Sequence, residues 1–118
     1  MYNQHLTDMF KEVWSNTNPD ADFASQSINV NSDGKLFIVE TTNGNENPST
    51  PRSHSLHLVS LNTKTTMIGG RYDADTIGSR DVTITQSGST STFAFGVGRV
   101  NTATINGWII PVKIYKLL

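Results

Sequence analysis

Three histidines, His5, His54 and His57, are the side chains with the most scope for metal chemistry in this sequence. On a strand, a spacing of three residues sends His54 and His57 to opposite faces, so the two rings cannot converge on one ion. Asp73 and Asp75 would share a face and could offer oxygen ligands to calcium, but the chain lacks the Asp-rich loop of a calcium site. The sequence therefore predicts no metal site and no cofactor.

Patterns for catalysis are also weak. The chain has no cysteine and no Gly-x-Ser-x-Gly turn, although a Ser-His-Asp set is recognised by its geometry and stays open at this point. Gly96-Val97-Gly98 looks like part of a phosphate-binding glycine loop, yet it lies within a predicted strand and no helix follows it. A domain of this size rarely has a cleft for two catalytic carboxylates. We therefore expect a protein that is not an enzyme.

Aromatic side chains near polar segments indicate binding more clearly. Trp14, Tyr72, Trp108 and Tyr115 could each lie flat on a sugar ring while Asn, Asp or Arg side chains bond its hydroxyls. Both tryptophans stand in apolar patterns typical of a core, so we expect Tyr72 to be the most accessible of the four to a ligand. Residues 43–51 include no apolar side chain and predict an exposed loop. We expect the ligand contacts to come from Tyr72, Asp73, Asp75, Asn45, Asn47 and Arg52.

The composition suits a small β domain that carries such a surface. Ser, Thr and Asn make up 38 of the 118 residues, and these short polar side chains fit the solvent face of strands and the turns between them. The net charge is −1 and the basic residues are scattered, so we expect no nucleic-acid partner. No run approaches the roughly 18 apolar residues of a membrane span, so no membrane insertion is expected. Because cysteine is absent, we expect association into a homo-oligomer to replace disulfides as a source of stability.

The first residues follow a helical spacing. Leu6, Met9, Phe10 and Val13 recur every three or four residues, which predicts a short amphipathic helix that ends in the turn-forming run 15–20. A stripe this apolar either packs on its own domain or docks onto a larger assembly. We therefore divide the chain into a docking or packing segment, residues 1–18, and a β-sandwich domain, residues 19–118.

From Asp22 onward the period changes to two, which is typical of strands. Seven short strands without a crossover helix predict an antiparallel β-sandwich, jelly-roll-like, or a closed barrel. Pro111 within the last strand predicts a sheet edge or a bulge there. The alternation predicts a core that contains Phe37, Leu56, Leu58, Val82, Ile84, Phe93, Phe95, Ile110, Val112 and Ile114.

Both ends of the chain resemble small virion-associated domains in tailed phages and prophages of Gram-positive bacteria. The opening carries the resemblance in Val13-Trp14-Ser15-Asn16-Thr17-Asn18-Pro19 and Phe23-Ala24-Ser25-Gln26-Ser27-Ile28. The ending carries it in Arg80-Asp81-Val82-Thr83-Ile84-Thr85 and Asn106-Gly107-Trp108-Ile109-Ile110-Pro111-Val112-Lys113-Ile114-Tyr115. The chain departs from that pattern by one extra residue before the proline and by Lys116 where a glycine is common, and residues 43–79 have no match.

The resemblance implies a β-rich domain at the tip of a tail, baseplate or head fibre, commonly trimeric, that meets the bacterial surface. Its partners would be other virion proteins and a cell-surface glycan, and its location would be the virion. An alternative is a capsid or tail decoration protein that only docks through its N-terminal segment, without receptor binding. The resemblance supplies no binding residues, so the ligand contacts named above stand on residue type and expected exposure.

Overall fold

The computed structural model describes residues 9–43, 53–71 and 74–118, and for Arg71, Ala74 and Asp75 it describes the backbone. No helix in these ranges is long and apolar enough to cross a membrane. The strands of the described residues are β1 (Phe10–Ser15), β2 (Gln26–Val30), β3 (Leu36–Thr42), β4 (His54–Ser60), β5 (Thr65–Arg71), β6 (Ala74–Ser87), β7 (Thr90–Phe95), β8 (Arg99–Val100), β9 (Ala103–Thr104) and β10 (Ile110–Leu117).

The strands form two antiparallel sheets that pack against each other. Sheet A has the order β1-β10-β3-β4, and sheet B has the order β2-β7-β6-β8-β9 with β5 paired to β6. The long strand β6 pairs with β5 on one side and with both β7 and β8, end to end, on the other. The prediction of an all-β, sandwich-like fold is confirmed, and the alternative of a closed barrel is wrong.

The core lies between the inner faces of the two sheets. Val82 and Ile84 on β6 are fully buried, as their alternation predicts, and so are Phe37 and Phe93, whose rings meet edge to face at 5.1 Å. The fully or nearly fully buried apolar side chains are Phe23, Val30, Phe37, Val39, Val59, Met67, Val82, Ile84, Phe93, Phe95, Trp108, Ile109, Ile110 and Ile114.

The prediction of an N-terminal helix is wrong for the part of that segment that the structure describes. Phe10–Ser15 forms β1, which pairs with β10 at the outer side of sheet A. A bulge between Glu12 and Trp14 brings both Val13 and Trp14 against the core, while Phe10 faces outward. Phe10 and Val13, three residues apart, therefore lie on opposite faces of a strand and not on one stripe of a helix. A helix this short is marginal alone, whereas the strand gains backbone bonds to β10.

The predicted burial of Leu56 and Leu58 is wrong. Both leucines lie on the outer face of β4 and are 68% and 61% exposed, whereas Val59 is fully buried. The side chains alternate as predicted, but Leu56 and Leu58 lie on the solvent-exposed face of β4 and not on its buried face. Val112, also predicted in the core, is only partly buried.

Proline is accommodated in a central strand. Pro111 lies in β10, which runs between β1 and β3 and is therefore not an edge strand. The register between β10 and β3 shifts between Pro111 and Lys113, so the alternative of a bulge is the one observed.

Candidate functional site

An apolar surface covers the outer face of sheet A. We call the outward side chains Phe10, Ile38, Leu56, Leu58 and Tyr115 the apolar face. Ile38 lies directly across from Leu58 on one side and from Tyr115 on the other, so the side chains form one continuous strip over the four strands. Monomeric proteins rarely expose contiguous apolar surface of this kind unless it contacts a partner.

Charged pairs frame the apolar face. Glu40 accepts a hydrogen bond from the ring of His54, at 2.9 Å from Nδ1, and the Tyr115 hydroxyl approaches its other oxygen at 3.4 Å. Lys113 forms an ion pair with Glu12 at 3.0 Å. The pKa of Tyr115 is raised by its burial and by the negative charge of Glu40, so the hydroxyl keeps its proton and remains a donor. Both signs of charge are thus present along the rim.

A second concavity, which we call the polar groove, lies on the outer face of sheet B. Its floor is formed in part by small residues. Ala94 on β7 and Gly96 just after β7 have little or no side chain, which leaves a depression between the neighbouring strands. Hydroxyl and charged side chains form its walls. The groove is lined by Ser25, Gln26, Ser27, Lys64, Asp81, Thr83, Ala94, Phe95, Gly96 and Arg99.

Asp81 is the central charge of the polar groove. Its carboxylate accepts a hydrogen bond from the Thr66 hydroxyl at 2.7 Å. Lys64 approaches the other oxygen at 3.3 Å and Arg99 at 3.9 Å. The pKa of Asp81 is lowered, first by the Thr66 hydrogen bond and then by these two cations, against an opposing effect of burial. Asp81 is therefore a fixed carboxylate at neutral pH.

The preceding residue, Arg80, points the opposite way, into the protein. Its Nε donates to the carbonyl of Ile109 at 2.8 Å and its Nη1 to that of Gly96 at 2.7 Å. Its Nη2 donates to the carbonyls of Trp108 at 3.0 Å and Asn106 at 3.2 Å. Burial lowers the pKa of Arg80 to about 10, which leaves the guanidinium charged at neutral pH. Its hydrogen bonds thus go to the main chain and tie the segment before β10 to β6.

The segment that Arg80 holds is tightly packed. A Cβ atom on Gly78 would stand 2.5 Å from the Trp108 ring, and one on Gly98 would stand 2.7 Å from the Trp108 carbonyl. Ile109 has a positive φ of 51°, which a β-branched residue rarely adopts. The Asn43 side chain accepts the Ile109 N–H at 3.0 Å, so Ile109 is held at its N–H by Asn43 and at its carbonyl by Arg80. The cluster is a structural feature and not an accessible site.

The two described histidines lie on opposite faces of β4, as their spacing predicts. His54 is on the outer face beside Glu40, and His57 shares a hydrogen bond with the Thr41 hydroxyl at 2.9 Å on the inner face. Burial lowers the pKa of His57 from its ordinary value of 6.5, so this ring is neutral at neutral pH. Within the described ranges no three His, Cys, Asp or Glu side chains come together in an arrangement that could hold a metal ion.

The predicted ligand residues cannot be placed. Asn45, Asn47, Arg52, Tyr72 and Asp73 lie outside the described residues, and Asp75 is described only as part of the β6 backbone. Their role as ligand contacts therefore stays a prediction.

The predicted docking residues take different positions. Leu6 lies outside the described residues, and Met9 is 48% exposed. Phe10 is part of the apolar face, whereas Val13 packs against the core. Docking through this end of the chain stays a prediction, with Met9 and Phe10 as its accessible members.

Sequence reasoning missed the polar groove. The alternation of β6 does place Asp81 and Thr83 on one face, but Lys64 and Arg99 come from distant segments that only the sheet brings together. No family model, curated protein or solved structure matches the chain. The case for function therefore depends on its surfaces.

Proposed function

We propose that this chain is a virion-associated binding domain that joins copies of itself through the apolar face of sheet A and presents sheet B to the bacterial surface. The observation that carries the proposal is the contrast between the apolar face of sheet A and the polar groove of sheet B. Leu56 and Leu58 stand in solvent on sheet A, whereas polar and charged side chains surround Asp81 in the groove. The resemblance of both chain ends to virion-associated domains supplies the setting and the jelly-roll-like topology that we propose.

A second copy of the chain is the partner that fits the apolar face. Burying each leucine would contribute about 1.5–3 kcal/mol. The rim carries both signs of charge, with the Glu12–Lys113 and Glu40–His54 pairs, so a symmetry-related copy can set acid against base. By analogy with the domains that the chain resembles, we propose a trimer.

Self-association is tested by sedimentation or light scattering of the whole chain. We expect Leu56→Ser combined with Leu58→Ser to shift the protein to a monomer, because it removes the two most exposed leucines of the apolar face. The matched control is Ile68→Ser, which alters a side chain 57% exposed on the outer face of sheet B. We expect the control to associate like the wild type. A wild type that is monomeric at micromolar concentration, or an equal shift in the control, would contradict the proposal.

Host binding is tested separately with fluorescently labelled protein and whole bacterial cells. We expect the wild type to bind cells and the leucine variant to bind more weakly, because a monomer loses the avidity of several linked sites. The alternative function, decoration without receptor binding, is favoured by the apolar face alone, since that face needs no cell-surface ligand. A protein that associates but binds no cells from a panel of Gram-positive hosts would establish this alternative.

A further inference from the structure

We propose that the polar groove of sheet B is a binding site for an acidic glycan, a polymer whose sugar or polyol units carry carboxylate or phosphate groups. The inference deepens the proposed function, on which it rests, by naming the ligand class of the presented face. The proposal stands on the charges, the accessibility and the shape of the groove.

The charges of the groove favour an anion. Two cations, Lys64 and Arg99, flank one carboxylate, Asp81, so the local balance is one positive charge although the chain as a whole carries −1. In the described part of the chain, the Arg99 guanidinium has only its 3.9 Å approach to Asp81. Its donors therefore remain available for the bidentate bonds that guanidinium forms with carboxylate or phosphate.

Both cations are accessible to a ligand. The Lys64 side chain is 68% exposed and that of Arg99 is 47% exposed, whereas Asp81 between them is only 18% exposed. An approaching anion thus meets the two cations before the carboxylate. Asp81 is held by Thr66, which leaves it placed to accept a hydrogen bond from a hydroxyl group of the same ligand.

The shape and the remaining side chains favour a sugar chain over a small ion. The groove crosses β2, β7 and β6 towards the start of β5, and neighbouring strands lie about 4.8 Å apart, so it is long enough for a short oligosaccharide. Ser27 and Thr83 offer hydroxyl groups along it, and Ala94 keeps the floor flat.

The experiment measures binding of the whole chain by isothermal titration to three probes. The probes are polygalacturonate as the carboxylate polymer, poly(glycerol phosphate) as the phosphate polymer and dextran as the neutral polymer. We expect binding to at least one acidic polymer, weakening as salt rises from about 50 to about 200 mM, and no binding to dextran. Whichever acidic polymer binds more tightly identifies the source of the charge.

The variant that tests the groove is Lys64→Gln combined with Arg99→Gln. We expect it to bind the acidic polymer at least about tenfold more weakly, because it loses the charge-assisted hydrogen bonds. The control, Lys11→Gln combined with Lys35→Gln, removes the same charge at exposed positions outside the groove and should bind within about twofold of the wild type, since rim charges far from a ligand act weakly.

Two results would overturn the inference. One is equal weakening in the groove variant and its control, which would indicate non-specific attraction. The other is cell binding by the wild type without binding to either acidic polymer; that result would leave the proposed function standing and remove the ligand class. Loss of self-association in the leucine variant has no bearing on the groove, so the two proposals fail separately.

Discussion

Arg80 and Asp81 are consecutive residues of opposite charge, and each has its main partners on a different side of β6. Arg80 is buried and donates to main-chain carbonyls, whereas Asp81 lies in the polar groove with Thr66, Lys64 and Arg99. Although the two residues are adjacent in sequence, the alternation of side chains along a strand places them on opposite faces of β6. One face of β6 thus stabilises the fold, while the other face stays available for a ligand.

The surroundings of Arg80 and of Asp81 also differ in whether water can replace a hydrogen bond that a substitution removes. The buried carbonyls of Ile109 and Trp108 would lose the donors that Arg80 supplies if the guanidinium were removed, and the loss of a buried hydrogen bond is costly. Around Asp81 water can replace any lost bond, because Lys64 and Arg99 are well exposed. We therefore expect changes at the Arg80 side to affect stability and changes at the Asp81 side to affect binding.

The largest effect is expected for Arg80→Met, which keeps an unbranched stem and removes every donor. We expect the free energy of unfolding to fall by about 3–5 kcal/mol, as for the loss of one partner in a buried charged network. Urea unfolding followed by circular dichroism measures it. Arg99→Met is the matched control, and it should change the free energy of unfolding by less than about 1 kcal/mol because its ion pair is exposed. Similar losses in both variants would break the contrast between the two faces.

A smaller effect is expected for Gly98→Ala. The new Cβ would stand 2.4 Å from the Ile105 carbonyl and 2.7 Å from that of Trp108, both main-chain atoms that cannot move aside easily. We expect a loss of about 1–3 kcal/mol, as for overpacking. Gly96→Ala, two residues earlier and in the groove, meets its nearest atom at 3.6 Å and should be tolerated within about 0.5 kcal/mol. Thermal melting of both variants compares them, and a tolerated Gly98→Ala would show that the packing around Trp108 is looser than described.

The smallest effect concerns pH. The folded protein lowers the pKa of Asp81 from its ordinary 3.8, so this carboxylate stabilises the fold above that pH and the contribution is lost as the pH falls through the lowered value. We expect the contribution to be below about 1 kcal/mol, because solvent screens the pairs. Arg80 keeps its charge throughout this window, since its pKa is about 10.

The measurement is the urea midpoint of wild type and Asp81→Asn between pH 5 and about pH 2. The two curves should converge towards acid, with the wild type more stable only at the upper end. Asp33, whose pKa is lowered by its hydrogen bond with Lys116, titrates in the same window in both proteins and cancels in the difference. A difference that grows on acidification would mean that Asp81 destabilises the fold.

The strands themselves were largely predictable from the sequence. Val82 and Ile84 alternate with threonines, and no local signal competes with that pattern. The prediction of a helix over the N-terminal segment failed because β1 carries apolar side chains on both faces, with Phe10 outside and Val13 inside. Apolar residues three apart on such a strand have the same spacing as one face of a helix. Leu56 and Leu58 failed for another reason: alternation shows which residues share a face, but it does not show which face is inside.

The burial of Arg80 and the polar groove could not be predicted from the sequence, for physical reasons. Arginine is rarely buried, so Arg80 has no signal in the sequence beyond its place in the resemblance to virion-associated domains. The groove combines residues from four separate segments, and Lys64 and Arg99 meet only because both flank β6. Surfaces of this kind follow from strand order, which composition and periodicity do not determine.

The position of β10 between β1 and β3 has a consequence for the order in which strands can pair while the chain is synthesised. Sheet A cannot be completed before β10 is synthesised, because β1 and the β3–β4 pair are joined only through that strand. Sheet B needs no such late strand, since β2, β5, β6 and β7 all precede β10. Until β10 is made, the edges of β1 and β3 that it will join therefore stay unpaired, and open strand edges of this kind are prone to misassembly.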